Sequence, residues 1–354
     1  MTSIAYPMMF NHPRASDVIS IKDVISINKY SAMNTHISTT TSASGRSKAM
    51  ILGNLLALSA AICWGFNEPA NKILIPDWIS ASGVALSRIF GAAVIIWIIS
   101  FFVKPEKIQK GDWKLLWASA LMMLGFVYVF SMAFNTASPI DIAIILTFQP
   151  MLVVAIHAIF KHEKVGRLEW VGMGIAFCGA LLAILGGGKI GGGKFIGNIY
   201  ALVCSISYAC YLVIIEGPSR RYATVNLMKW IFLFSAILSL PLILTLPRNI
   251  ELFTNPHWEP IATLGFIILF PTVYCYLVTP PAIRMIGSEI LSFYQYLVPV
   301  IAAIVSLLLK IDTFHWYQPV AFVIIVAGVM LANYAKMKNP GLLAKAAADT
   351  GTKG

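Results

Sequence analysis

Charge is what this sequence has least of. Only 12% of its 354 residues are charged, against about a quarter in a soluble domain. Acids are the scarcer sign, with 15 Asp and Glu against 26 Lys and Arg. With 58% hydrophobic residues and a mean hydropathy of +0.78, that shortage excludes a water-soluble globular protein and implies a polytopic membrane protein. Cysteine is sparse as well. Cys63, Cys178, Cys204, Cys210 and Cys275 all fall inside apolar runs, with no CxxC and no Cys/His cluster. Neither a disulfide framework nor a zinc site is implied, so they read as small core residues. There is no HExxH, no pair of acids at catalytic spacing and no Ser/His/Asp grouping. A membrane-embedded enzyme therefore has no motif behind it, and no catalytic residue, cofactor or metal ligand is expected. The net charge of +11 would suggest nucleic acid in a soluble protein. In a membrane protein, basic cytoplasmic loops account for it, and no nucleic-acid partner is expected.

Residues 1–49 lack the apolar core of roughly 7–15 residues that a secretory signal needs. They are Ser/Thr-rich and acid-poor. They read as a disordered tail or as an over-called start upstream of Met33 or Met50, with a transit peptide as a third reading.

Long apolar runs are what the sequence does have. A spanning helix needs about 20 apolar residues, and ten runs qualify, near 50–72, 79–103, 113–134, 138–160, 166–186, 195–216, 224–246, 258–279, 287–309 and 315–336. The breaks carry the turn chemistry, as in KPEKIQKGD, GGGKIGGGK and TPPAIRMIGS. With both termini inside, 15 Lys and Arg lie on the cytoplasmic flanks, among them Lys104, Lys107, Lys110, Lys114, Arg220 and Arg221. Only Lys72, Lys189, Lys194, Arg248 and Lys310 lie opposite. The bias predicts a multi-pass protein of the cytoplasmic membrane with both termini cytoplasmic.

The chain also repeats. GNLLALSAAICW (53–64) matches GNIYALVCSISY (197–208) at an offset of 144, and an offset of 149 lays Pro150 on Pro299, Glu163 on Asp312 and Gly179 on Gly328. The predicted fold is all-α: ten transmembrane helices as two five-helix repeats, 50–186 and 195–336, joined by a Gly-rich linker at 187–194 and followed by a cytoplasmic tail at 337–354. Five spans is an odd number, so the second repeat must be inverted, which is a transporter architecture with its site at the interface of the halves.

Polar residues inside the runs are the candidates for that site, because a charge at the bilayer centre costs roughly 2.5–3.5 kcal/mol on insertion scales. In WGFNEPANK, Trp64, Asn67, Glu68 and Asn71 share one helical face. They point at a cavity, unless Glu68 only marks the outer end of the span and snorkels to the headgroups, as Pro69 and Lys72 allow. Proline at 69 would loosen the backbone there. Arg88 either pairs with Glu68 or binds an anionic substrate. SPID at 138–141 reads as a Ser138 N-cap with Asp141 in the first turn. Gln149 precedes Pro150, and Ser292, Gln295 and Tyr296 form a stripe ending at Pro299. Both prolines free a backbone carbonyl one turn earlier and kink their helices. Tyr208, Tyr211, Tyr274 and Tyr294 fall too deep for an interfacial belt and are placed in or near the cavity. His157 reads as a core residue. The GxxxxGK of 188–194 is followed by Phe195 and has no preceding strand, so it is a linker and not a phosphate loop. Small residues at Gly172, Ala176 and Ala180, and at Gly328 and Ala332, suit close helix packing, within the chain or in a homodimer.

The order of WG-x-N in span 1, Arg88 in span 2, SPIDIAIILTFQP and Glu163 around span 4, the Gly-rich span 5 and the later YQYLVPV resembles the EamA-type branch of the drug/metabolite transporter superfamily, over residues 50–336. The resemblance implies alternating access around a cavity lined by helices 1, 3, 4, 6, 8 and 9, with 5 and 10 at the periphery. One departure is Asp312, where the family often has Glu. The expected function is secondary transport, as an exporter, of a small polar or amphipathic metabolite such as an amino acid, with Trp64, Asn67, Glu68, Arg88, Gln149, Tyr208, Tyr211, Tyr274, Tyr294 and Gln295 binding it. Glu68 is the candidate for proton coupling. The rival readings are a phosphorylated or nucleotide-linked substrate, for which only Arg88 and Lys229 offer buried cations, and a membrane-embedded enzyme.

Overall fold

A computed structural model describes residues 43–160, 166–186, 193–246, 251–254 and 257–338. The tail up to residue 42, Lys161, Glu163 and Lys164, residues 187–192 of the linker, Lys189 and Arg248, and residues 339–354 lie outside the described residues, as do the side chains of His157 and Ser292.

All regular structure among the described residues is helical. The first half contains α1 (Ala43–Leu74), α2 (Ala81–Ser100), α3 (Asp112–Ala133), α4 (Pro139–Leu146), α5 (Gln149–Phe160) and α6 (Arg167–Gly186). The second contains α7 (Gly193–Arg221), α8 (Thr224–Ser239), the short α9 (Glu251–Thr254), α10 (Trp258–Ile267), α11 (Cys275–Gln295), α12 (Leu297–Leu308) and α13 (Tyr317–Lys338). Eight helical segments among the described residues are long and apolar enough to cross a membrane. Two more apolar helices, Leu297–Leu308 and Tyr317–Ala332, are shorter.

Local chemistry accounts for several boundaries. The Ser80 hydroxyl accepts from the Gly83 N–H at 3.1 Å and starts α2. The Ser138 hydroxyl accepts from the Asp141 N–H at 3.1 Å and starts α4, with Pro139 in the first turn. Predicted span 4 is broken between α4 and α5, because Pro150 cannot donate to the Leu146 carbonyl. The matching break falls at Tyr296, between α11 and α12, one turn before Pro299.

Three expectations are corrected. Helix α1 begins at Ala43, inside the stretch read as tail. It also runs unbroken through Pro69 to Leu74, so the backbone beside Glu68 is regular. TPPAIRMIGS, read as a break between spans 8 and 9, is helical throughout within α11. The irregular backbone lies elsewhere, in a π-helix at Ile268–Tyr274 that contains Pro271. The proline forbids the regular ladder there, and π-turns of this kind recur at functional sites.

The packing follows the repeat. Helix α1 packs on α11 and α12, while its counterpart α7 packs on α3, α4 and α5; α2 packs on its own counterpart α8, and α6 on its own counterpart α13. Exchanging the halves leaves this set of pairs unchanged. In the last pair the small residues are used up. A methyl group placed on Gly328 would lie 2.4 Å from the Ala176 nitrogen and 2.6 Å from the Gly172 carbonyl oxygen. The stripe considered for a homodimer therefore packs within the chain.

Both ends of the bundle are tied across the halves. At one end, Asp112 accepts from Arg221 at 2.6 Å and from the Tyr222 hydroxyl at 2.7 Å. The Glu106 carboxylate accepts from the Ala223 N–H at 2.7 Å. At the other end, Asp141 accepts from the Tyr317 hydroxyl and from the Gln318 amide at about 3 Å.

Candidate functional site

Between the halves lies a cavity of about 50 Å³, room for a few water molecules. Helix α1 contributes Trp64, Asn67 and Glu68, and α2 contributes Arg88. The break between α4 and α5 contributes Leu146, Thr147 and Gln149. From the second half come Tyr208, Tyr276, Gln295 and Val298.

The α1 stripe is set by helical spacing, and the structure turns it inward. Glu68 is 2% exposed, so it lies in the cavity wall and not among headgroups. Its Oε2 is buried with no hydrogen-bond partner among the described residues. Asn71, one turn on, donates its amide to the Asn67 carbonyl at 2.7 Å and to Asn67 Oδ1 at 3.0 Å, which holds Asn67 in place. The Trp64 indole donates to the Pro271 carbonyl at 3.3 Å. Lys72 is engaged separately and donates to the Phe134 carbonyl at 3.0 Å.

Arg88 is also 2% exposed. Among the described residues no ion pair joins it to Glu68, so the expected pair is absent. Its Nε instead donates to the Thr272 hydroxyl at 3.0 Å, and that hydroxyl donates to the Ile267 carbonyl at 2.8 Å. Thr272 stands within the π-helix, so a residue of the irregular backbone holds the arginine. The guanidinium lies 5.5 Å from the centre of the Phe130 ring, and its Nη1 has no hydrogen-bond partner among the described residues. An acid and a base thus line one cavity, and each keeps a buried side-chain atom unsatisfied among the described residues.

Aromatic rings line the rest. Phe126 lies 4.7 Å from Tyr208, Tyr208 stacks on Tyr211 at 5.7 Å, and Tyr211 meets Tyr276 edge-on at 6.4 Å.

Seven of the ten residues expected from sequence line this cavity: Trp64, Asn67, Glu68, Arg88, Gln149, Tyr208 and Gln295. Three do not. Tyr211 lies behind Tyr208 with its hydroxyl 3.7 Å from Met228 Sδ. Tyr274 and Tyr294 tie α1 to the second half, through Ser59 at 2.7 Å and Asn54 Oδ1 at 3.0 Å. Sequence reasoning missed Phe126, Phe130, Ala143, Leu146, Thr147, Tyr276 and Val298. The first two look like ordinary apolar residues of a span. Thr147 had a signal, since it stands three residues before Pro150. Tyr276 follows the π-helix, whose extra residue per turn rotates the face expected from regular spacing.

Comparison with known proteins agrees with the repeat. The EamA-like transporter family matches residues 51–185 and again 195–334. The chain is 24% identical over 268 residues to the Bacillus subtilis (strain 168) protein named "Uncharacterized transporter YyaM", covering 72% of this chain and 85% of that one. It is 25% identical over 198 residues to the Escherichia coli (strain K12) protein named "Uncharacterized inner membrane transporter YedA", covering 56% of this chain and 63% of that one. A solved crystal structure shares the fold at a TM-score of 0.56 and 18% identity, over 81% of this chain and 97% of that one.

Proposed function

The chain belongs to the EamA-like transporter family, and on that premise we propose that it is a secondary transporter of a small zwitterionic metabolite, such as an amino acid or a related compound, working by alternating access in the cell membrane. The observation that carries this reading is that Glu68 and Arg88 line one cavity and each keeps a buried side-chain atom, Oε2 and Nη1, with no hydrogen-bond partner among the described residues. A buried charge left unpaired is expensive. A substrate that brings an ammonium group to Glu68 and a carboxylate to Arg88 satisfies both at once. Asn67, Gln149 and Gln295 supply neutral hydrogen bonds, and Trp64 and Tyr208 supply apolar contact. Proton exchange at Glu68 is the alternative use of the same acid, with the substrate's carboxylate still on Arg88.

The cavity at about 50 Å³ is too small for such a molecule, so loading requires the walls to part. The breaks at Thr147 and Tyr296 and the π-helix at Ile268–Tyr274 are the elements suited to that movement. Ten spans in inverted repeats, with both termini cytoplasmic, complete the proposal. Its support is the pairing of helices that survives exchange of the halves and the bias of basic residues. A phosphorylated or nucleotide-linked substrate ranks lower, because among the described residues Arg88 is the only cation lining the cavity, and Lys229 stands outside it beside Trp97 and Trp230.

The test is uptake into proteoliposomes, with a panel of zwitterionic, purely cationic, purely anionic and phosphorylated compounds competing. Zwitterions should compete best. Preference for a phosphorylated compound would overturn the reading, and chemical turnover without translocation would favour an enzyme. Export, the direction expected from sequence, is decided by comparing inside-out with right-side-out vesicles.

A further inference from the structure

A second cavity lies on the outer face of the bundle, between α2 and α8, and the central site makes no use of it. It has a volume of about 480 Å³. Its floor is made of Ala93 and Ala236, both buried, while Val94, Ile98, Ile237 and Leu240 stand exposed along its rims. Small residues beneath large aliphatic rims make a groove. Along α2 it runs from Phe90 to Phe101, about 16 Å at 1.5 Å per residue. That is close to half of a hydrocarbon core of about 30 Å, the depth of one leaflet.

The chemistry at one end of the groove is different. Lys229 stands four residues before Leu233, so it shares the face of α8 that carries Leu233, Ala236 and Leu240. It is 8% exposed. Its ammonium lies 5.6 Å from the centre of the Trp97 ring and 5.8 Å from that of Trp230. Among the described residues it has neither an ion pair nor a hydrogen bond. Trp97 also lines the groove, and its indole N–H is buried with no acceptor among the described residues. A cation and a donor, both lacking an anion, therefore stand where the apolar groove ends. Beyond them lies the 101–111 connection with Lys104, Lys107 and Lys110. Its acids do not compete, since Glu106 accepts from Ala223 N–H and neighbouring Asp112 from Arg221 and Tyr222.

We propose that this groove is a binding site for an anionic phospholipid of the leaflet on the 101–111 side, with an acyl chain along Ala93 and Ala236 and the headgroup phosphate on Lys229 and the Trp97 N–H. The aromatic cluster marks the interfacial depth at which a phosphate sits. The basic connection above it draws anionic lipid to the mouth. Lys229, which would otherwise be a buried unpaired charge in a spanning helix, acquires its counter-ion from the membrane.

The experiment uses the full chain, purified and delipidated, then exchanged into nanodiscs containing equal phosphatidylglycerol and phosphatidylcholine. Native mass spectrometry reads the lipids retained. The wild type should keep phosphatidylglycerol about tenfold over phosphatidylcholine, the worth of one charge-assisted contact. Lys229→Met should remove that preference while retaining phosphatidylcholine as before. Ala236→Leu, which fills the floor, should reduce retention of both lipids. Lys107→Gln/Lys110→Gln should keep the preference. Equal retention by the wild type overturns the proposal. So does a preference that survives Lys229→Met and is lost in Lys107→Gln/Lys110→Gln, which would assign it to the surface loop. Circular dichroism and gel filtration of each variant establish that a lost preference does not come from a lost fold.

Discussion

The two halves of the molecule place residues at the same positions around the cavity but give them different chemistry. At the offset of 144, Trp64 corresponds to Tyr208, and both line the cavity. At the offset of 149, Leu146 corresponds to Gln295 and Gln149 to Val298, and all four line it. The halves exchange an apolar residue for an amide at each of the last two positions. Both charges, Glu68 and Arg88, come from the first half, and their positions are not filled by charges in the second. The repeat has thus conserved geometry and not composition. Energy gives a reason: each intramembrane charge costs roughly 2.5–3.5 kcal/mol, and a second acid beside the first would add repulsion. One acid and one base suffice for a zwitterion, and the duplicate positions are free to carry aromatics and amides.

The shared scaffold can be broken first, and this should give the largest effect. Gly328→Leu drives a side chain into the Ala176 and Gly172 backbone, which cannot move aside as a side chain would. It should cost about 3 kcal/mol, the upper end of what overpacking costs, and abolish the monodisperse peak in gel filtration. Gly174→Leu is the control, because nothing lies within 4 Å of a methyl group there, and it should behave as wild type.

Erasing the charge of the first half comes next. Glu68→Gln and Arg88→Gln should insert normally and lose roughly 10- to 100-fold in transport, the worth of a hydrogen bond to a charged group. Unchanged rate and unchanged pH dependence in Glu68→Gln would reduce Glu68 to a wall residue. Between the halves, Thr272→Val removes the acceptor of the Arg88 Nε bond. It should weaken apparent affinity for a carboxylate-bearing substrate by about tenfold, with Thr272→Ser restoring it. Equal behaviour of Val and Ser would mean that the hydroxyl does not position the arginine.

The smallest effect should come from making the halves alike. Gln295→Leu copies the residue found at 146, removes one neutral hydrogen-bonding group, and should lower transport about three- to tenfold. A loss as large as that of Glu68→Gln would put the amide on a level with the charges and contradict the division of labour between the halves.

How far the site could be read in advance depends on how local each signal is. Trp64, Asn67 and Glu68 declare a shared face through spacings of three and four, which is a property of one helix. The Ser138 cap and the breaks before Pro150 and Pro299 are equally local. The positions of Tyr274, Tyr294 and Tyr276 are not, because depth in the membrane predicts burial but not which helix a ring will meet. Two of these tyrosines were spent on tying α1 to the second half, through Ser59 and Asn54. The third was turned into the cavity past a π-helix that no regular period anticipates.

By itself, the sequence determined the membrane as solvent, the helical class, the repeat and the polar stripe of α1. Those follow from hydropathy and from periods of a few residues, which act within one segment. Only the tertiary structure decided that Arg88 turns to Thr272, 184 residues away, and leaves Glu68 without an ion pair among the described residues. It also decided that the small-residue stripes of α6 and α13 meet each other, and that Lys229 lies against Trp97 and Trp230 instead of lining the cavity. Each of these joins separate segments, and the partner a buried polar atom finds depends on which helices pack beside it, a choice made by the packing of the whole bundle.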